Sequence, residues 1–133
     1  MIHLDVKPSN IVIVDGTAKL IDFGGMLDTR DSGNQIIAGT YKYLSPGMYT
    51  TSFTKILERV SSCKIEEYTP EIDIWALGLV FIELLCGTSD IWPHVDANQN
   101  DILAYIKNGE HFKKIPHTTS SSVIDLIQSC LQL

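Results

Sequence analysis

The chain has 133 residues, 44% of them hydrophobic and 20% charged, which fits one ordinary globular domain and excludes disordered or collagen-like chains. Ten Lys and Arg against sixteen Asp and Glu give a formal charge of −6, which argues against a broad electrostatic grip on nucleic acid while leaving local phosphate contacts open. The longest apolar run, Ile74 to Ile82, is about half of what a bilayer-spanning helix needs, and Met1-Ile2-His3-Leu4-Asp5 lacks the regions of a signal peptide, so no membrane span and a cytoplasmic or nuclear setting are expected.

In chain order, Ile11 to Val14, an intervening Asp15-Gly16, and Ala18 to Ile21 predict a β-hairpin with β-branched, largely buried strands. From there through Gly33-Asn34 no period of 2 or 3.6 is sustained, and a loop of that length in a compact domain is usually a binding or regulatory one. Ser52 to Val60 can form a short amphipathic helix with Phe53, Ile56, Leu57 and Val60 on one face. Thr69-Pro70-Glu71 leads into Asp73 to Cys86, apolar on all sides and closed by Gly87, which predicts a buried helix acting as the central post. Further helices are expected at Asn100 to Lys107, stopped by Asn108-Gly109, and at Ser121 to Leu131, with Val123, Ile124, Ile127 and Leu131 at helical spacing.

Cys63, Cys86 and Cys130 are odd in number and widely spaced, so they predict buried thiols rather than disulfides or a zinc knuckle. His3, His94, His111 and His117 contain no H-E-x-x-H pair, and a protein-built transition-metal site is not expected.

The chemistry concentrates near the start. His3-Leu4-Asp5-Val6-Lys7-Pro8-Ser9-Asn10 fits H-x-D-x-x-x-x-N, and Asp22-Phe23-Gly24 follows beyond the hairpin. Gly39-Thr40-Tyr41-Lys42-Tyr43-Leu44-Ser45-Pro46 and Asp73-Ile74-Trp75-Ala76-Leu77-Gly78 come later. Singly, such residues are common in turns; together and in this order, the chain resembles the eukaryotic-type protein kinase family, Ser/Thr class. The resemblance implies an α+β, mainly α-helical fold, the C-terminal lobe with a short hairpin, so that residues 1–133 form a partial kinase domain beginning at the catalytic loop, without the nucleotide-covering N-lobe. It implies ATP and Mg²⁺ as cofactors, and a protein offering Ser or Thr as the partner. Asp5 would orient and deprotonate the substrate hydroxyl, Lys7 would contact the transferring phosphate, and Asn10 and Asp22 would ligate Mg²⁺. Thr40 would touch Asp5 and Lys7 and shape the substrate groove. His3, Phe23, Gly24 and Asp73 would give structural support, Asp73 by tethering the catalytic-loop backbone.

Three departures from the family pattern stand out. Leu4 replaces an Arg that in many kinases pairs with a phosphorylated loop residue, so phosphorylation at Thr29 or Ser32 should not switch activity by that route. Gly47 replaces the Glu of the A-P-E motif, and the interval from Gly47 to Asp73 is about twice the usual one, consistent with an insertion around 53–67. With the N-lobe and a preceding helix outside these residues, slow or absent turnover and exposed apolar surface on the central helix are expected. A non-catalytic, pseudokinase-like binding module and a truncated gene product are the alternative readings.

Overall fold

A computed structural model describes residues 1–28, 40–46, 69–88, 101, 104–105 and 107–132. The expected helix at Ser52 to Val60, the sites Thr29, Ser32 and Gly47, and the insertion around 53–67 lie outside the described residues.

Pro8 presets the φ of a 3-10 turn, Pro8–Asn10, that leads directly into β1 (Ile11–Val14). β1 pairs antiparallel with β2 (Thr17–Leu20), with Ile11 opposite Leu20 and Val14 opposite Thr17. The turn between them needs positive φ at both central residues, and Asp15 (51°) and Gly16 (72°) supply it. Burial corrects the expectation for this hairpin. Ile13 is 69% and Val14 41% exposed, because a two-stranded ribbon leaves its tip and faces open. Only its base, Ile11 and Leu20, packs on the core. Ile21 lies just past β2 and continues the pairing by one bond, its N–H donating to the opposing Asn10 carbonyl at 2.9 Å.

After a second 3-10 turn, Phe23–Gly25, an isolated bridge joins Leu27 to Ile2 through N–H···O bonds of 2.9 and 2.8 Å. That bridge returns the chain to its own beginning and buries both side chains.

The helix α1 (Glu71–Cys86) starts two residues before the expected Asp73, with Glu71 and Asp73 in its first turn, where the helix dipole favours acids. It ends at Gly87, whose φ of 64° lets the chain leave in a left-handed conformation. Ile72, Trp75, Ala76, Leu79, Val80 and Ile82 are buried, but Ile74 (47%) and Leu84 (65%) are exposed. The expectation of burial all round therefore holds for most of the helix and fails at these two positions. Its neighbours reach it from the other sides: the second helix α2 (Ser121–Cys130), the Tyr41–Tyr43 turn and the Glu110–Lys114 turn.

Helix α2 crosses α1 at Gly78, where an added Cβ would lie 2.8 Å from Leu131 side-chain atoms and 2.9 Å from the Cys130 Cβ. On the expected stripe, Ile127 and Leu131 are buried while Val123 and Ile124 are half-buried. In the expected segment Asn100 to Lys107, Asp101, Ala104, Tyr105 and Lys107 are helical, and the Asn108 N–H bonds the Ala104 carbonyl at 2.9 Å before Gly109 turns at a φ of 65°. Cys86 and Cys130 are free and half-buried rather than fully buried, with the Cys86 thiol against the Lys114 carbonyl at 3.1 Å.

The core is one cluster that runs from the chain start through Tyr43 and Leu44 to α1 and α2. It places the residues around Asp5 directly over α1. No helix among the described residues is long and apolar enough to cross a membrane.

Candidate active site

Asp73, in the first turn of α1, reaches back about seventy residues in sequence. Its Oδ2 accepts the His3 N–H at 2.6 Å and its Oδ1 accepts the Leu4 N–H at 2.9 Å. Between these amides and Asp5 the backbone takes a left-handed conformation at Leu4 (φ 67°), a costly one for a side chain of this kind. Two charge-assisted bonds to one carboxylate, donated by the His3 and Leu4 amides, hold it there. Leu4 itself is buried in the apolar cluster, so its side chain presents no charge toward any loop.

His3 is also buried. Its Nε2 donates to the Ile21 carbonyl at 3.2 Å while its Nδ1 faces the Asp5 N–H at 3.4 Å, an arrangement that requires the proton on Nε2. The ring meets Phe23 edge-on, with centroids 5.3 Å apart, although Phe23 remains more than half exposed. His3 thereby couples the backbone around Asp5 to the segment that carries Asp22.

Three of the residues singled out in the sequence converge on the carboxylate of a fourth, Asp5. Asp5 Oδ1 accepts the Thr40 hydroxyl at 2.7 Å, and Oδ2 accepts Lys7 Nζ at 2.7 Å and Asn10 Nδ2 at 2.9 Å. Lys7 Nζ also donates to Thr40 Oγ1 at 2.9 Å, which closes a triangle of Asp5, Lys7 and Thr40. Burial pushes the Asp5 carboxyl up, but the hydrogen bonds from Lys7, Thr40 and Asn10 and the Lys7 charge outweigh it and hold the group below the usual carboxylate range. Asp5 is therefore an anion at neutral pH. A carboxylate offers about four acceptor positions, and three are taken here, leaving one on Oδ1.

Asn10 is buried and gives Nδ2 to the Asp5 carbonyl as well as to its carboxylate, both at 2.9 Å. Its amide oxygen is left to serve as an acceptor or ligand. Among the described residues no hydrogen bond joins Asp22 to Asp5 or Asn10; the link runs through the backbone, from Ile21 N–H to the Asn10 carbonyl. Asp22 is exposed at a φ of 64° and its carboxylate does not cap the turn it precedes. A Cβ at Gly24 would lie 3.5 Å from Asp22 Oδ1. No cluster of three or more His, Cys, Asp or Glu that could cage a metal is found among the described residues. What they do offer, the Asn10 amide oxygen and the uncommitted Asp22 carboxylate, is the sparse set of hard oxygen donors that suits Mg²⁺, which keeps waters and takes further ligands from substrate phosphates.

Sequence reasoning missed the residues on the far side of this cluster. A cavity of about 410 Å³ lies between Lys7 and Pro8 of the loop, Thr40, Lys42 and Tyr43 of the following strap, and Glu83 of α1. Tyr43 is buried and its hydroxyl donates to Glu83 Oε2 at 2.5 Å, with Lys42 Nζ 3.6 Å from the same oxygen. The available signal was Glu83 itself, an acid following nine apolar positions in a helix read as buried, which needs a partner.

A family model described as the protein kinase domain matches residues 1–133. An Aurora kinase from Candida glabrata is 33% identical over 133 residues, which covers 98% of this chain and 32% of that protein. An Aurora kinase from Encephalitozoon cuniculi is 31% identical over 134 residues, covering 100% of this chain and 43% of the relative. Mouse serine/threonine-protein kinase PAK 1 is 29% identical over 137 residues, covering 100% and 22%. The chain thus spans less than half the length of each of these relatives. With a family match over its whole length, and with Lys7 and Asn10 of one loop meeting Thr40 of the later strap at the Asp5 carboxylate, the chain belongs to the protein kinase domain family.

Proposed function

We propose that this chain carries the catalytic lobe of an ATP-dependent protein serine/threonine kinase, which moves the γ-phosphoryl group of ATP to a Ser or Thr hydroxyl of a protein substrate. The observation that supports this most is the convergence of Thr40, Lys7 and Asn10 on Asp5, with one acceptor position left on Oδ1. On this reading a substrate hydroxyl donates to that position. Asp5 orients it and takes its proton as the new O–P bond forms and the bond from phosphorus to the ADP oxygen breaks. Lys7, already beside Asp5, meets the phosphoryl oxygens as negative charge moves toward the substrate. Thr40 holds both in register. Asn10, through its amide oxygen, and Asp22 are the residues that would hold Mg²⁺. Held there with ATP, Mg²⁺ would supply neutralisation of phosphate charge.

Serine and threonine as acceptors fit Lys7, two residues after the base, and the printed name of PAK 1. The domain assignment of residues 1–133 as the larger lobe, partnered by a nucleotide-covering half, belongs to the same proposal, as does a cytoplasmic or nuclear setting. A net charge of −6 makes a protein substrate a better partner than nucleic acid.

The test is transfer of labelled phosphate from ATP to a mixed Ser/Thr peptide pool, with Asp5→Asn beside the unaltered protein. A loss of roughly 10²- to 10⁴-fold in the variant is expected from removing a positioned base. Measurable and equal transfer by the two would refute the assignment of Asp5.

A further inference from the structure

The cavity between the loop and the strap is lined by three charged side chains, Lys7, Lys42 and Glu83, and it does not present them equally. The acid is the withdrawn one. Glu83 is only 14% exposed, and its Oε2 already accepts the Tyr43 hydroxyl and faces Lys42 Nζ at 3.6 Å. Lys42 is 32% exposed, and at 3.6 Å its ion pair with Glu83 is longer than a direct hydrogen bond. Lys7 Nζ gives two of its three protons to Asp5 and Thr40, and the Ser9 hydroxyl on the same wall is exposed. Asp5, which balances Lys7, does not line the cavity. The lining thus carries two ammonium groups and one engaged carboxylate, a local positive excess in a chain of net charge −6. What it offers an incoming side chain is hydrogen-bond donors.

We propose that this cavity takes an acidic side chain of the protein substrate, an Asp or Glu close to the accepting Ser or Thr, and that Lys42 is the residue that selects it. The proposal rests on the reading of Asp5 as the base and names the class of substrate that the same site favours. Lys7 and Thr40 both bound the cavity and bond Asp5, so a substrate whose hydroxyl reaches Asp5 lays its neighbouring residues along this wall. Lys42 stands two positions beyond Thr40 on the strap. A carboxylate there meets the Lys42 ammonium and the Ser9 hydroxyl, while Pro8 and the Tyr43 ring supply apolar surface for its methylenes. A guanidinium or ammonium in the same place faces two like charges, and the one acid of the lining is already taken.

Binding of short Ser peptides to the full chain, followed by NMR shift changes, tests this without depending on turnover. The peptides are neutral except for a single Glu, Gln or Arg, placed in turn at each position within about three residues of the Ser, a reach of about 10 Å of extended chain. At one position or more the Glu peptide is expected to bind about two- to fivefold more tightly than the Gln peptide, as one partly exposed ion pair allows, and the Arg peptide more weakly than either. The net charge of the chain works against this order, so the preference reports a local contact. Raising the salt from about 0.05 to about 0.5 M should erode it. Lys42→Gln is expected to abolish the difference between Glu and Gln peptides and Lys42→Glu to invert the order, which a loss of packing alone would not do. The salt series on the unaltered protein decides the matter if neither variant folds. A Gln or Arg peptide bound as tightly as the Glu peptide at every position, a preference indifferent to salt, an order unchanged in Lys42→Gln, or saturable binding of no peptide would overturn the proposal. The kinase reading fails separately, on absence of phosphate transfer with the Glu preference and its dependence on Lys42 intact.

Discussion

Asp5 and His111 show how differently one fold treats two titratable side chains. Asp5 is surrounded by donors and kept anionic, whereas His111 is buried to 2% exposure with neither ring nitrogen hydrogen-bonded among the described residues, its ring tilted against Phe112 with centroids 4.2 Å apart and 6.3 Å from that of Tyr105. Burial pushes the His111 imidazole down to about 4, so the fold keeps it neutral. The sign of the resulting pH dependence follows. Between its ordinary value of 6.5 and about 4, the unfolded chain binds a proton that the folded chain refuses, so stability falls as pH drops through that window. Allowing for solvent screening, the loss is about 2 kcal/mol. Melting temperatures measured from pH 7 to pH 4 should decline less steeply for His111→Leu than for the unaltered protein; parallel curves would contradict the assignment. The Asp5 contribution has the opposite origin and a different window, since a carboxyl held low loses its stabilisation only below the ordinary carboxylate range. His111 carried no sequence signal beyond its identity, because burial of an imidazole depends on which aromatic rings the fold brings around it.

At the scale of elements, legibility followed locality. The hairpin and its turn were readable because Asp15-Gly16 sets a local backbone shape that β-branched flanks extend, and α1 because an acidic start, an apolar body and Gly87 all lie within one run. Burial of the hairpin was misjudged, since β-branched residues show strand preference but not what covers the strand. Ile13 and Val14 have the composition of a core strand and the exposure of a ribbon tip. Gly78 is the counterpart in a helix: a residue of poor helix propensity whose value lies in the approach of α2. Gly78→Ala would gain nearly 1 kcal/mol of helix propensity, yet its Cβ would sit 2.8 Å from Leu131 and 2.9 Å from the Cys130 Cβ. Overpacking at such a crossing costs about 1 to 3 kcal/mol, so a net loss of stability in chemical denaturation is expected. A variant as stable as the parent or more so would show that α2 shifts freely on α1.

At the scale of the molecule, α1 is the frame on which the site is assembled. Asp5, Lys7 and Asn10 were legible as a site because they lie within six residues of one another in a pattern tied to phosphoryl transfer, and Asp73 because its motif accompanies them. The joining of Thr40 to Asp5 and of Tyr43 to Glu83 depends on long-range packing that no local period encodes. In the function proposed above, Asp22 and Asn10 would hold Mg²⁺ against ATP beside this cluster. Calorimetric titration of ATP into the chain, with and without Mg²⁺ and beside Asp22→Ala, tests it most directly. The account predicts binding that requires Mg²⁺ and is lost in Asp22→Ala while the fold, followed by its melting transition, is kept. ATP binding of equal strength without the metal or in the variant would contradict it.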